Sequence, residues 1–473
     1  MVSGSWWPLT TNYQPPTMFA TDDTIVAIAT PAGRGALGVV RLSGPRALDV
    51  AGALLACGAT LQPRHATLTR ITSDDGAEAV DEVVATFFPA PYSYTGEHVV
   101  EITGHGSPML LHVMLKRAMA TGARLAEPGE FTLRSFLNGK RDLVQSEAVA
   151  DLIDAATPLQ ARIAFDQLEG TLTARITTID VQLFDLIARL EASLDFPDEG
   201  FHFIEPARAA VEIDGVIAAL DDLLRGAAVG RMIREGATVV ISGRTNVGKS
   251  SVFNVLAGTA RAIVTPIPGT TRDLVTEHLN IGGIAVTLID TAGWRETLDV
   301  VESEGVSRGN QARRIADLVL LVLDTSEPLT PEDARLLAET ATVNRIVVSN
   351  KSDLRCDPSL TAPGFSLLSA SVRVSTLTGD GFDRLHQAIS RALVGDERLR
   401  DAAAISNTRH ISLLEQCRVS LVAARDAAMA ANVPEEFLLT DLQAARACLD
   451  EIVGRRTNED VLRHIFERFC IGK

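Results

Sequence analysis

The sequence predicts a multidomain chain: an α+β N-terminal domain, an α-helical central domain split in sequence, and an inserted α/β domain with a doubly wound, mostly parallel sheet. Three observations carry this. Short β-rich runs between Gly/Pro turns fill residues 18–140. From 234 to 396, apolar strand-like runs alternate with helical stretches, the pattern of strands buried on both faces of a parallel sheet. Helical periodicity flanks that region at 141–233 and 397–473, so the α/β domain interrupts a helical one.

Residues 1–17 (MVSGSWWPLTTNYQPPT) read as a loose extension and receive no function. The N-terminal domain follows with DTIVAIAT, GVVRLSG, DEVVATFF and HVVEITGHG as strands. In the first helical part, Ile176, Ile179, Leu183, Leu186 and Leu190 are spaced 3, 4, 3, 4, a stripe that needs a partner helix. ATVVISG, IAVTLID, DLVLLVLD, RIVVSN and FSLLSAS are the expected strands of the inserted domain. The chain closes on a helix carrying Val461, Ile465 and Phe469 on one face.

The 473 residues are 46% hydrophobic and 22% charged, an ordinary globular composition that excludes a disordered chain. A net charge of −16 argues against a broad basic surface for nucleic acid, while leaving room for a local basic groove. Five scattered cysteines without CxxC spacing fit a reducing compartment and no paired-cysteine zinc site. No apolar run reaches the roughly 18 residues that span a bilayer. The first basic residue is Arg34, so the start lacks the basic region of a signal or transit peptide. A cytoplasmic location without membrane contact is expected.

Gly243-Arg244-Thr245-Asn246-Val247-Gly248-Lys249-Ser250 follows a strand and opens a helix. Glycines there let backbone N–H groups curl around phosphates, Lys249 reaches the outer phosphates, and the Ser250 hydroxyl ligates Mg²⁺. With Val247 and Ser251 this is the phosphate half of a nucleotide site. Asp290-Thr291-Ala292-Gly293 ends a later strand, where a carboxylate holds the metal through water and a glycine senses the γ-phosphate. Asn350-Lys351-Ser352-Asp353 ends another. Its Asp353 accepts from the N1–H and 2-amino group of guanine, a pair adenine lacks. Ser369-Ala370 ends the expected last strand and reads as the backbone contact to the guanine carbonyl. Gly269-Thr270-Thr271-Arg272-Asp273 completes the set, with Thr271 as the switch threonine over Mg²⁺. Five such segments in this order predict a P-loop G domain that binds GTP and GDP and hydrolyses GTP.

GTTRD, with the hydrophobic Trp294 after DTAG, resembles the translation-factor-related GTPases that lack a catalytic glutamine. ATPAGRGALGVVRLSG at 30–44, YSYTGEHVVEITGHGS at 92–107, PGEFTLRSFLNGKRDLVQSEAVADLIDA at 128–155, SLDFPDEG at 193–200 and FCIGK at 469–473 resemble the bacterial tRNA-modification GTPase MnmE (TrmE) family over essentially all of 22–473. The resemblance implies installation of an aminomethyl-type group at C5 of the wobble uridine of certain tRNAs. It implies a tetrahydrofolate one-carbon unit (5-formyl- or 5,10-methylene-), a homodimer formed through the N-terminal domain, and a heterotetramer with the FAD-dependent MnmG (GidA). Folate would meet Arg41, Glu101, Lys140 and Lys473, chemistry that suits glutamyl carboxylates and a pterin. K⁺ would be held by Asn246, Thr265, Ile267 and Thr270, and Mg²⁺ by Ser250 and Thr271. Pro266, Pro268 and Gly269 would line the nucleotide with these. Catalytic roles would fall to Glu302, Arg272 and Cys470. Thr245 stands where the family commonly has Pro, and Pro266 where it commonly has Asp; neither removes a nucleotide-binding side chain.

Two other readings stay open at this point. One is a pure GTPase switch in ribosome assembly or signalling; the other is a stand-alone folate-dependent aminomethyltransferase with a regulatory G domain. The C-terminal CIGK occupies a prenylation frame that its Gly and Lys fit poorly. Cys470 itself is either a packed thiol or a group facing the one-carbon chemistry.

Overall fold

The computed structural model describes residues 22–56, 61–73, 78–195, 205–259, 261–262, 276–290, 316–358, 371–395, 405–430 and 435–472. The chain divides into two compact units. The first comprises 1–150, 167–184 and 442–473, and the second 151–166 and 185–441.

The first unit is built on a six-stranded sheet from β1 (Ile25–Ile28), β2 (Leu37–Ser43), β3 (Thr67–Thr72), β4 (Ala79–Phe88), β5 (Val99–His105) and β6 (Arg124–Leu125). Their order is β3-β4-β5-β2-β1-β6, and every neighbouring pair is antiparallel except β1 with β6. Alternation along β2, β4 and β5 sends Val40, Leu42, Val83, Ala85, Val100 and Ile102 into a core with the helices Ala47–Leu54 and Pro108–Ala120. The opposite face is covered in part, where Ile25 and Ala27 pack on Phe131, and open elsewhere, with Leu37 and Leu68 about two-thirds exposed at 67% and 68%.

A second cluster in this unit joins Leu133, Phe136 and Leu143 to Leu462, Ile465, Phe466 and Phe469. The last helix is Glu459–Phe466, capped by the Asn458 side chain, so Phe469 packs from beyond its end. Val461, Ile465 and Phe469 all pack in this cluster as expected, but Phe469 is not part of the helix. Leu462, Ile465 and Phe466 are the buried residues of the helix, because a turn ends it before Phe469. The stripe Ile176, Ile179, Leu183, Leu186 and Leu190 lies on one helix, Thr171–Asp195, and all five are buried.

The second unit carries seven strands: β7 (Ala237–Ser242), β8 (Arg261–Ala262), β9 (Thr276–Ile281), β10 (Ile284–Asp290), β11 (Leu318–Asp324), β12 (Arg345–Asn350) and β13 (Val372–Arg373). Their order is β13-β12-β11-β7-β10-β9-β8, parallel from β13 to β10 and antiparallel beyond. On one face Leu318, Leu320 and Val322 meet the helices Lys249–Thr259 and Phe382–Val394. On the other, Leu321 and Leu323 meet Leu336 and Leu337 of the Pro331–Glu339 helix. Covered faces on both sides make this the doubly wound sheet expected. FSLLSAS at 365–371 is the expected last strand, read from its apolar run. The strand that actually pairs with β12 is Val372–Arg373, in register with Val348 and Ser349, and 365–370 lie outside the described residues. The helices Pro206–Leu224 and Thr408–Met429 also pack together in this unit. Among the described residues no helix is long and apolar enough to cross a membrane.

Candidate functional site

Both nucleotide-binding strands end at the same edge of the seven-stranded sheet, because β7 and β10 run parallel with Ile241 beside Asp290. After β7 the chain turns through Gly243 and Asn246 (φ 67°) into Gly248 (φ 93°), then enters the Lys249–Thr259 helix. A Cβ on Gly248 would lie 2.3 Å from the Asn350 amide, so only glycine lets the loop approach that side chain. Lys249 is buried, and its Nζ donates to the Arg244 carbonyl at 2.7 Å. The Ser250 hydroxyl donates to Asp290 at 2.9 Å. A hydroxyl beside a carboxylate at a helix N-terminus is an oxygen donor set that suits Mg²⁺. The chemistry of the donors therefore fits that ion.

The base-reading segment closes the other side. Asn350 is fully buried at the end of β12; its Nδ2 donates to the Val247 carbonyl at 2.9 Å and ties the two motifs together. The Asn350 Oδ1 is buried without a hydrogen-bond partner among the described residues, an acceptor that a bound base or loop donor would satisfy. Lys351, at φ 61°, pairs with buried Asp324 at 2.5 Å. Burial alone would raise the Asp324 carboxyl, but hydrogen bonds from Lys351 and Ser326 outweigh it and hold it low. Asp353 is exposed, as a base reader must be, and the buried Ser375 hydroxyl donates to it at 2.5 Å. Sequence reasoning passed over Ser375. Its signal was the VRVSTLTGDG segment, a short strand running into a glycine turn, overlooked because Ser369-Ala370 sits six residues earlier. Val247 is buried and Ser251 is exposed at the start of the helix.

Thr265, Pro266, Ile267, Pro268, Gly269, Thr270, Thr271, Arg272, Thr291, Ala292, Gly293, Trp294, Glu302, Ser369, Ala370 and Lys473 lie outside the described residues. Asp290 therefore stands for its whole segment, and Asn246 for the four K⁺ candidates.

A second cluster forms in the first unit. Arg41 on β2 and Glu101 on β5 are direct cross-strand partners, and the Arg41 guanidinium donates to Glu101 at 2.9 Å. Arg41 stacks over Tyr94 and Phe131, and Arg141 lies over the same Tyr94 ring at 4.5 Å. Lys140 is exposed, and its stem runs against Gly96, two residues from Tyr94. The tail reaches the same place. Arg41 Nη1 donates to the Gly472 carbonyl at 3.4 Å, Ile471 forms a bridge with Pro128, and the Gly129 amide donates to the Cys470 carbonyl. A Cβ on Gly472 (φ 100°) would sit 2.5 Å from the Ile28 carbonyl, so glycine is required where the tail presses on β1. Cys470 is an exposed free thiol and not a packed one. Tyr94, Phe131 and Arg141 were not singled out from sequence. Tyr94 was within reach, lying in the YSYTGE segment, but aromatic rings beside charged groups carry no spacing signal.

Beneath this cluster is a buried ion network. Arg134, 1% exposed, pairs with Asp23 at 2.5 Å, Glu130 at 2.8 Å and Glu97 at 3.2 Å. Arg124 adds bonds to Asp23 and Glu130, both at 2.6 Å. Burial would raise the Asp23 carboxyl, yet the two guanidiniums override it and hold it below the usual carboxylate range. Glu97 also accepts from Ser43, next to Thr95, which fixes the loop bearing Tyr94.

Comparison with known proteins identifies both parts of the chain. Residues 24–140 match the family described as GTP-binding protein TrmE N-terminus, and 143–470 match the MnmE helical domain. The chain is similar to the tRNA modification GTPase MnmE of Koribacter versatilis, 44% identical over 96% of this chain and 99% of that one. The same protein of Neisseria meningitidis serogroup A is 44% identical over 95% of this chain and 99% of its own. That of Aquifex aeolicus is 42% identical over 95% of this chain and 100% of its own.

Proposed function

Because the chain belongs to the tRNA modification GTPase MnmE family, a family of GTP-hydrolysing enzymes that act in tRNA modification, we propose that its first unit uses a reduced folate one-carbon unit to build an aminomethyl-type group at C5 of the wobble uridine. The observation that carries this reading is the convergence of Arg41, Glu101 and the C-terminal tail, three segments far apart in sequence, on one aromatic-lined cationic site. Arg41 would neutralise glutamyl carboxylates, Glu101 would accept from pterin N–H groups, and Tyr94 would stack on the ring. Lys140 and Lys473 would add charge at the rim. The exposed Cys470 thiol beside this site supports a role for the tail in the chemistry.

In the second unit, Asn350 and Asp353 would select guanine, with Ser375 orienting Asp353. Lys249 would carry the outer phosphates, and Ser250, with Thr271 closing over it, would hold Mg²⁺, which supplies charge neutralisation at the transferring phosphate. Asn246, Thr265, Ile267 and Thr270 would hold K⁺, Glu302 would orient the attacking water, and Arg272 would be a further catalytic residue. The open part of the six-stranded sheet, with Leu37, Leu68 and Val84 exposed, supports homodimerisation through the first unit. The FAD-dependent MnmG would be the redox partner, in the cytoplasm.

The decisive experiment is mass analysis of wobble-uridine nucleosides from cells lacking this protein, complemented with wild type or Arg41→Ala. Wild type should restore the C5 modification and Arg41→Ala should not, while purified Arg41→Ala still hydrolyses GTP. Full restoration by Arg41→Ala would leave the protein as a GTPase whose first unit does not carry the one-carbon chemistry.

A further inference from the structure

Arg244 is the second residue of the phosphate loop, a position the loop's own chemistry leaves unassigned. Its side chain is only 15% exposed and turns away from the loop. Its Nε donates to Asp333 at 3.1 Å and its Nη2 to Glu327 at 2.6 Å. Asp333 is no ordinary surface partner. It is 2% exposed and is the third residue of the Pro331–Glu339 helix. The same oxygen that meets Arg244 also accepts from the Thr330 amide at 3.0 Å and hydroxyl at 2.8 Å. That helix is in turn fixed to the sheet by Leu336 and Leu337 on β11. The Arg244 guanidinium is thus anchored to a rigid element, and its own carbonyl receives the Lys249 ammonium.

The phosphate loop has much freedom to lose. Gly243, Asn246 and Gly248 all sit at positive φ, and fixing each residue costs backbone entropy. An anchor on the first half of the loop removes part of that cost before nucleotide arrives. It also sets the carbonyl that holds Lys249 where the outer phosphates will take the lysine over.

We propose that Arg244 is a positioning residue for nucleotide binding: clamped by Asp333 and Glu327, it presets the phosphate loop and keeps Lys249 in place over it. This rests on the GTPase reading of the site. The clamp acts on the loop and not on the γ-phosphate, so it serves GDP and GTP alike. Asp333 dominates because it is buried. Glu327, 56% exposed, contributes little, as exposed ion pairs do.

The test is GDP and GTP affinity, with steady-state GTP hydrolysis, for the full-length chain. Arg244→Gln should weaken both nucleotides by about tenfold and raise KM for GTP in step, with a much smaller fall in kcat. Asp333→Asn, which can still cap the helix, should reproduce most of this loss. Glu327→Gln should cost about twofold at most. Arg244→Lys, which restores one charge pair, should recover part of the affinity. Adding Arg244→Gln to Asp333→Asn should cost less than about twofold more, since both break one clamp. Thermal unfolding identifies any variant that has lost its fold; the Arg244→Lys and Glu327→Gln pair then carries the comparison. Affinities of a folded Arg244→Gln within about twofold of wild type, or fully additive losses in the double variant, overturn the proposal. A wild-type chain that binds neither nucleotide would strike the GTPase reading itself.

Discussion

The two sheets place their chemistry differently. In the seven-stranded sheet β11 is buried at every residue, Leu318 to Asp324, because helices cover both faces. Such strands have no face left for a ligand, and the buried polar groups Asp290, Asp324 and Asn350 stand where β10, β11 and β12 end. In the six-stranded sheet β4 alternates buried and more exposed residues, and one face is covered only in part. There a charged pair can stand in mid-strand, as Arg41 and Glu101 do, and they are the proposed folate contacts. A doubly wound sheet confines its site to one edge and leaves a purely apolar core; a half-covered sheet can display a site on its surface but must then hold charges close to its interior.

The largest test of that contrast is Arg134. It is the centre of the charge network that the first unit keeps buried, with Asp23, Glu97 and Glu130 around it. Arg134→Leu should destabilise the first unit by about 3–5 kcal/mol, because it leaves carboxylates without their buried counter-charge. Denaturant unfolding followed separately on peptides of the two units by hydrogen exchange measures it. Equal loss of protection in the β11 peptide would mean that the two units do not differ as described.

A smaller effect separates the sites. Lys249→Ala should slow GTP hydrolysis by more than about a hundredfold, as loss of a main charge at the transferring phosphate does. Reduced-folate binding should be untouched, because Arg41 and Glu101 draw nothing from Lys249. Isothermal calorimetry with a reduced folate and a phosphate-release assay read the two outcomes. Folate binding that falls along with GTPase rate would sharpen the contrast into a coupling.

The same difference decided how much the sequence disclosed. Phosphate recognition is a local, backbone-based act, so Gly243 to Ser250 can be read as one line of text, and Asp290, Asn350 and Asp353 follow at strand ends. Apolar runs on both faces made the parallel sheet legible too. Ser375 was missed because a two-residue strand, Val372–Arg373, is too short to leave a periodic trace, and the apolar run FSLLSAS drew the reading to Ser369-Ala370. The surface site was different. Arg41 and Gly472 are separated by most of the chain, and only antiparallel register and the docking of the tail unite them. No spacing rule encodes that, so those residues came from resemblance to a family. Arg134 was hidden for another reason: an arginine in an amphipathic helix reads as solvent-facing, and only its three carboxylate partners make burial tolerable.

The smallest expected effect sets one histidine of each unit against the other. In the first unit, His105 ends β5 with its ring exposed, and its Nδ1 meets the buried Asp81 at 2.6 Å. The hydrogen bond and charge of Asp81 raise its pKa above the ordinary 6.5. The folded state therefore binds this proton more tightly than the unfolded chain does. Its contribution is fully present below pH 6.5 and is lost as pH rises through the higher folded value. In the second unit, His386 lies on the Phe382–Val394 helix, with its Nε2 buried and without a partner among the described residues. Burial pushes its pKa down, only partly opposed by Asp383. Here the unfolded chain binds the proton more tightly, so stability is present above pH 6.5 and falls as pH drops below it through the folded value. The two units thus lean in opposite directions around one pH, the exposed ion pair favouring acid and the buried neutral ring favouring base. Urea midpoints measured from pH 5 to 8 for wild type, His105→Gln and His386→Gln resolve the two. The wild-type advantage over His105→Gln should shrink as pH rises through the upper half of that range. Replacing His386 should remove a loss of stability that wild type suffers in the lower half. Both differences flat with pH, or both of the same sign, would show that neither ring feels the surroundings that separate these two sheets.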